Sequence, residues 1–497
     1  MSDITLLNDF SRVASQNLEY QRNRDRWAFL LDSYVGGQQY KNGGYLTKYQ
    51  LETNGEYAQR LNTTPLDNHC SSVISVYTSF LFRKEPDREM DSWDMYDDVK
   101  AFLKDANLEG QSLDNFMKDV ATWNSVFGHC WILMTKANLG LDSQGAEMDM
   151  GVRPYVNILT PLAVLDWRWE RSLSGEYELV YFKYIEEIVA QTTVVKEWTK
   201  EEIRTWIMDE TAKRSNLDTV EVNGLGMIPA VLSYNKRSIV KGIGVSDIAD
   251  IADIQRLIYN LTSEVEQSHR LDGHPSLVVT PDTQYGSGAG AVIIVPENSD
   301  PGLKPYVLEH GGANVQSMHE TIQKQVEAIN RISNTGGVRA TETRTLSGVA
   351  MEVEFSLLNA RLSEKADGLE LTEEQLWKLY AMYQGYTWDG EIKYPGSFNI
   401  RDTQREYAQL VQAKQAATDP RVLAIIDHEI IEMLGEDADL IMPEMVTLQD
   451  GTTVPYDSAE PFEEPEELYN PVTGESGWVI DFASKREAML NGWVEKE

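Results

Sequence analysis

Two stretches of helical periodicity, set apart by an insert that cannot be helical, constrain this chain more than any other feature. In the first, Ile248, Ile251, Ile254, Ile258, Leu261 and Val265 recur at steps of three and four residues, and Asp272-Gly273-His274-Pro275 ends the run. Ser246 is placed to cap this helix, with Asp247 and Asp250 in its first turn. In the second, Val315, Met318, Ile322, Val326, Ile329 and Ile332 repeat the pattern up to Asn334-Thr335-Gly336-Gly337. At the usual rise these helices would be about 39 Å and about 31 Å long. Between them, Ser276-Leu277-Val278-Val279-Thr280 and Ala291-Val292-Ile293-Ile294-Val295 read as two strands joined by a glycine-rich loop over 285–290. An insert of that size cannot cover both helices. Their apolar stripes must therefore pack on each other or on neighbouring chains, and identical hairpins set side by side would close into a ring.

The flanks extend the pattern. After a polar loop over 335–348 comes the longest periodic segment, 349–383, with Leu358, Leu362, Ala366, Leu369, Leu376 and Leu379 along its stripe. Its length would be about 50 Å, and Gly368 inside it is a candidate kink. Upstream, 6–23, 71–82 and 112–127 read as helices, with Gly36-Gly37 and Gly43-Gly44 as turns. From Cys130 the pattern shifts to short β-branched and aromatic runs at 130–134, 155–159, 164–169, 179–185 and 192–198, so an α+β body extends to about Tyr234. Downstream, 394–400 reads as a return strand and 402–434 as a helical pair broken at Asp419-Pro420. Segment 436–470 has eleven acidic residues, no basic ones and four prolines, which predicts an extended surface segment.

Composition excludes several classes. The formal charge is −35 and no basic cluster is present, which argues against sequence-specific DNA binding. Two cysteines make no disulfide framework; each follows a histidine, His69-Cys70 and His129-Cys130, but the spacing is not that of a zinc site. No apolar run approaches a membrane span, and Met1-Ser2-Asp3-Ile4-Thr5 is unlike a signal peptide, so a soluble protein made in a cytoplasm is expected. P-loop, G-x-S-x-G and H-E-x-x-H motifs are absent. Neither an enzyme nor a cofactor is expected.

The order of parts resembles the portal (head-to-tail connector) proteins of tailed double-stranded DNA bacteriophages: α+β body, long helix, small β insert, second long helix, glycine-containing loop, very long helix. Local sequence is similar too. The matching segments are Tyr40 to Arg60 with Glu52, Glu56 and Tyr57, and Arg153-Pro154-Tyr155 through Trp167-Arg168. Gly244-Val245-Ser246-Asp247-Ile248 with Asp253-Ile254-Gln255, and Ser347-Gly348-Val349-Ala350-Met351-Glu352 with Leu357-Leu358, complete the set. The likeness spans most of 40–385 and fades after about 400.

This resemblance implies an α+β portal fold: wing 1–245, stem helix 246–272, clip 273–311, second stem helix 312–334, tunnel loop 335–348, long kinked helix and wing strand 349–400, crown helices 401–435 and an acidic segment 436–497. It implies a ring, twelve subunits in that family, at one capsid vertex of the virion. Double-stranded DNA would pass through without sequence specificity. Terminase, adaptor or neck proteins and the capsid or scaffold protein would be its partners, the clip docking the first two, with no membrane. Twelve copies at −35 carry −420, and a channel of like charge lets a duplex slide without being trapped. Against that background Lys324, Arg331, Arg339 and Arg344 are candidate DNA-backbone contacts, with Glu342 (and Glu327) as competing partners. Gly336, Gly337 and Gly348 are candidate loop hinges. The competing assignments are a scaffold or capsid-associated protein and, least, a soluble enzyme; the tryptophan-rich strands argue against a loosely folded scaffold.

Overall fold

The structure, a computed structural model, describes residues 10–90, 93, 96–137, 147, 150–273, 276–278, 284–285, 293–294, 306–308, 313–339, 348–396, 398, 410–414, 423, 426, 430, 445–447, 453–455, 461–469, 476–481 and 494–495. The chain divides into two units, Met1–Asn399 and Ile400–Glu497. Both helix and sheet build the first.

Its N-terminal helices are α1 (Leu18–Val35), α2 (Gly37–Asn42), α3 (Asn54–Thr63), α4 (His69–Leu81), α5 (Asp97–Lys104) and α6 (Leu113–Phe127). Where one helix over 6–23 was expected, residues 10–13 are helical, the chain breaks, and α1 starts at Leu18. Asn17 is the reason: its backbone N–H donates to Leu165 O and its amide to Asp166 and Trp167 O, so the chain turns there, and Asn17 Oδ1 caps Glu19 N. At α3 a full capping box joins Thr53 and Glu56. Ser112 caps α6, and Gly128 ends it in the left-handed region at φ 91°.

The strands are β1 (Asp87–Glu89), β2 (His129–Thr135), β3 (Tyr155–Leu159), β4 (Val164–Arg171), β5 (Tyr177–Val189), β6 (Thr192–Thr199), β7 (Glu202–Asp209), β8 (Arg214–Val222) and β9 (Ala230–Tyr234). β2 lies between β3 and β9, antiparallel to both; β4 to β8 form an antiparallel meander in chain order. Trp131 on β2 bridges the sheets, 4.9 Å ring to ring from Phe182 and 6.2 Å from Trp167. Sequence patterning missed β7, β8 and β9. β8 is an edge strand with all but one residue exposed, so it carries no apolar alternation to read.

Then come α7 (Ala249–Gly273), the insert strands β10 (Ser276–Val278), β11 (Gln284–Tyr285), β12 (Ile293–Ile294) and β13 (Tyr306–Leu308), and α8 (Ala313–Ser333). The expected pairing of the 276–280 and 291–295 segments is corrected: β10 pairs with β13, and β12 pairs with β11. Two nested antiparallel ladders result, the outer one joining the strand that follows α7 to the strand that precedes α8. α7 begins three residues later than expected, because the Ser246 hydroxyl accepts from Ile248 N and donates to Ser125 O before the helix starts.

After the short α9 (Gly336–Arg339), α10 (Gly348–Gln384) runs as one helix through Gly368. It packs on β9 and on α4 and α6, and buries Leu358, Leu362, Ala366, Leu369, Leu376 and Leu379. The return strand is β14 (Glu391–Lys393), paired with β1, rather than 394–400. Tyr394 is instead a buried anchor, its hydroxyl donating to Glu373 Oε2 at 2.7 Å.

In the second unit the described residues of 402–434, namely 410–414, 423, 426 and 430, are helical. Within 436–470, expected to be an extended surface segment, the described residues form paired strands. β15 (Met445–Thr447) pairs with β16 (Thr453–Pro455), and β17 (Pro461–Tyr469) lies between β18 (Ser476–Asp481) and β19 (Val494–Glu495). Its prolines permit this: Pro455 and Pro461 terminate strands, and Pro465 falls within a register shift.

Candidate functional site

The helix pair is antiparallel, as contacts at its two ends show. Toward the insert, His269 of α7 and His319 of α8 face each other with ring centroids 6.1 Å apart. At the base, one residue of α10 holds the start of α7 and the end of α8 together. Arg361 Nη2 donates to Asp247 Oδ1 at 3.0 Å, and its Nη1 donates to Ile332 O at 3.1 Å.

Asp247 is nearly fully buried and has a second cation. Lys365, one turn after Arg361, places Nζ 2.5 Å from Asp247 Oδ2 and 3.1 Å from Ser125 Oγ, and also donates to Asn235 Oδ1. Burial opposes ionisation of Asp247, but Lys365 and Arg361 outweigh it and hold the carboxyl below its usual range. Burial in turn pulls the Lys365 ammonium below the ordinary lysine value, against the attraction of Asp247. Arg361 feels the same burial but is raised, because Asp247 dominates. Such a fully paired cluster fixes geometry more than it adds stability.

Two further contacts seat the pair. Tyr77 of α4 donates its hydroxyl to Ser333 O at 2.5 Å, at the last residue of α8. Beside α7, Arg60 is 3% exposed and forks onto Glu52, Thr47 O and Ser263 Oγ, while Tyr49 Oη donates to Glu264 Oε1 at 2.6 Å. The segment 47–60 is thereby clasped to the flank of α7.

The candidate channel residues fall in different settings. Lys324 and Arg331 are exposed on α8, and among the described residues neither forms an ion pair. Seven residues apart, they share one face about 10 Å apart along the axis. Asn334, in the left-handed region at φ 56°, ends α8, and Gly336 and Gly337 open α9. A Cβ on Gly336 would come 3.1 Å from Glu354 Oε2. Arg339, the last residue of α9, is tied back to the body: Nε donates to Ser72 Oγ at 3.0 Å, Nη1 to Asn330 Oδ1 at 3.0 Å and Nη2 to His69 Nδ1 at 2.9 Å. Glu342 and Arg344 lie outside the described residues. Gly348 is the first residue of α10, and Gly368 faces the Tyr234 carbonyl, 3.5 Å from where a Cβ would stand.

Cys70 and Cys130 are fully buried in separate elements, α4 and β2; burial pushes the Cys70 thiol up to about 12 and raises Cys130 as well. Among the described residues no three His, Cys, Asp or Glu side chains gather as a metal-binding set, and no helix is long and apolar enough to cross a membrane.

The ionic hub and the Arg339 tether are features that sequence reasoning did not find. Asp247 was read as a first-turn helix acid. The available signal was the pair Arg361 and Lys365, one turn apart beside the apolar stripe of Leu358, Leu362 and Ala366, where unpartnered cations are costly to bury.

No family model matches the sequence, and no curated protein matches it. Among solved structures the chain is similar to a chain from the neck of an empty gene transfer agent (GTA) particle computed with C6 symmetry, at 11% identity and a TM-score of 0.44, covering 81% of this chain and 99% of that one. It is also similar to a chain of the virion of a native GTA particle, at 11% identity and TM-score 0.42, covering 82% and 98%. A chain from the neck of a native GTA particle computed with C12 symmetry gives 10% identity and TM-score 0.42, covering 72% and 89%.

Proposed function

We propose that this chain is a phage portal subunit: twelve copies form a ring at one capsid vertex through which double-stranded DNA is packaged, retained and ejected. The observation that carries the reading is the antiparallel pair α7 and α8, a stem, bearing a small β insert, a clip, and rooted at the Asp247–Arg361–Lys365 hub on the very long α10. That succession supports the reading, since the resemblance in the sequence implies parts in this order. Apolar side chains left in the open on these helices, Leu257, Ile332 and Leu357, suit burial against sister subunits.

In such a ring the chain works without catalysis. Its net charge of −35 keeps the channel weakly repulsive to a duplex. Charges act over about 8 Å at physiological salt, so only those facing the channel matter to DNA. Lys324 and Arg331 supply two cations on one face for transient phosphate contact. Terminase and neck proteins would dock on the insert, and the capsid or scaffold protein on the body, placing the protein in the virion.

The test is the particle itself. Negative-stain images of the purified full-length chain should show rings with a central hole, and light scattering a mass near twelve times 56.3 kDa. A monomer or dimer across a wide concentration range contradicts the proposal. Replacing Lys324 and Arg331 with Gln should alter packaging or retention of DNA while rings still form; unchanged packaging rejects their role.

A further inference from the structure

We infer that the hairpin 237–244 and the cleft beside it form a docking site for an acidic peptide segment that carries an apolar side chain, supplied by a partner protein. The inference concerns the surface of one chain and stands whether or not the chain forms a ring.

The hairpin is held stiffly. Arg237 and Gly244 bridge across it, and Val245 N donates to Lys236 O at 2.8 Å. Ser238 Oγ accepts from Val240 N at 3.1 Å and donates to Ile243 O at 2.9 Å. Gly242, at φ 91°, donates its N–H to Tyr234 Oη at 3.0 Å, and a Cβ on it would stand 2.4 Å from Trp167 Nε1. Although the hairpin is seated on the body in this way, Ile239 near its tip is fully exposed. Beside it lies a cleft of about 840 Å³, the size of a ligand pocket. Ala230, Leu232 and Tyr234, alternate residues of β9, line it from one face of that strand. Trp169 of β4, Leu179 of β5 and Met382 of α10 add further apolar surface.

The cations here are answered by rings and not by acids. Lys241 Nζ lies 3.3 Å from the Tyr177 ring centroid and 4.3 Å from that of Trp169. Arg171 lies over Tyr177 at 4.7 Å, and Arg237 over Tyr234 at 5.4 Å. Among the described residues none of these three has a carboxylate partner, in a chain with 79 Asp and Glu against 44 Lys and Arg. Burial pulls the Lys241 ammonium below the ordinary lysine value; Tyr177 opposes this and Arg171 adds to it. A carboxylate brought to this pair relieves that repulsion and gains charge-assisted hydrogen bonds. Of the acids in the cleft, Glu178 is already held by Lys200, and Glu176 is exposed. The lining residues therefore carry a small positive excess, Lys200, Arg237 and Lys241 against Glu176 and Glu178. That is too little for a polyphosphate backbone, whose binding grows with every phosphate neutralised, and enough for a carboxylate or two beside an apolar side chain.

Fluorescence anisotropy on the full-length protein at low salt tests this, with a labelled peptide Glu-Phe-Glu-Leu-Glu-Phe-Glu, its counterpart with Gln for every Glu, and labelled oligothymidine. The acidic peptide should bind at least tenfold tighter than the Gln counterpart. Arg237→Glu combined with Lys241→Glu should weaken it at least tenfold, and Ile239→Ser at least threefold, while Lys241→Arg keeps the native affinity. Lys241→Gln alone should weaken binding severalfold, which decides the matter even if the double variant does not fold. Equal affinity for the two peptides, tighter binding of oligothymidine than of the acidic peptide, or unaltered peptide binding in the charge variants overturns the inference. So does a charge variant whose mass by light scattering changes while its peptide affinity does not, since a second copy of the chain would then be the occupant.

Discussion

Arg361 spends one guanidinium on two ends of the molecule's central hairpin: the Asp247 carboxylate before α7 at 3.0 Å and the Ile332 carbonyl near the end of α8 at 3.1 Å. With Lys365 it closes a cluster in which every strong charge is answered, and four expected outcomes follow from this region and its neighbours.

Asp247→Asn leaves Lys365 and Arg361 buried without their counter-charge, a loss expected to be about 3–5 kcal/mol. Urea unfolding of the full-length chain should show the midpoint fall. Adding Lys365→Met should return part of the loss, since the orphaned ammonium is then gone. Equal midpoints for Asp247→Asn and the native protein would show that the cluster is unimportant to the fold.

Gly244→Ala should be severely destabilising. Gly128 and Gly244 cross so closely that a Cβ on Gly244 would stand 1.9 Å from Gly128 O, against backbone that cannot yield. The expected cost is at least about 2 kcal/mol, read as a lowered thermal midpoint or loss of soluble protein.

Gly368→Ala should do the opposite. It lies inside α10, its nearest obstacle is an ordinary 3.5 Å contact with Tyr234 O, and a mid-helix glycine gives up about 0.5–1 kcal/mol relative to alanine. A raised thermal midpoint is expected; a drop would mean that the glycine serves a bend.

His129 sets a pH dependence. It is fully buried, with Nδ1 accepting from Gly244 N at 3.2 Å, and burial pushes its pKa down to about 3. An unfolded histidine titrates near ~6.5, so the unfolded state binds the extra proton first. Stability is therefore whole above that value and declines as pH falls toward about 3, at up to about 1.4 kcal/mol per pH unit. Asp247 acts elsewhere: with a lowered carboxyl pKa, its contribution is lost only below about pH 4. Urea midpoints between pH 7.5 and 5 should slope less in His129→Gln than in the native chain.

Long elements were legible and pairings were not. α8 and α10 match their expected spans within a residue or two at each end, because unbroken three-four spacing has only one regular solution. The helix expected over 112–127 likewise matches α6 to within a residue. The partner of β10 could not be read, since short apolar runs carry no register and Tyr306-Val307-Leu308 is as plausible a mate as Ile293-Ile294. β8 escaped because an exposed edge has no periodic face. At the site, exposed cations such as Lys324 and Arg331 were recognisable by type and position, whereas the tether from Arg339 to His69 joins residues 270 apart in sequence, and only the fold brings them together.

The outer ladder of the insert, β10 against β13, brings the chain's exit from α7 and its return to α8 to neighbouring strands, about 4.8 Å apart. Whatever is carried beyond that doorway enters and leaves at a single point. A change in the length of chain between these two strands therefore does not by itself force the two helices to splay.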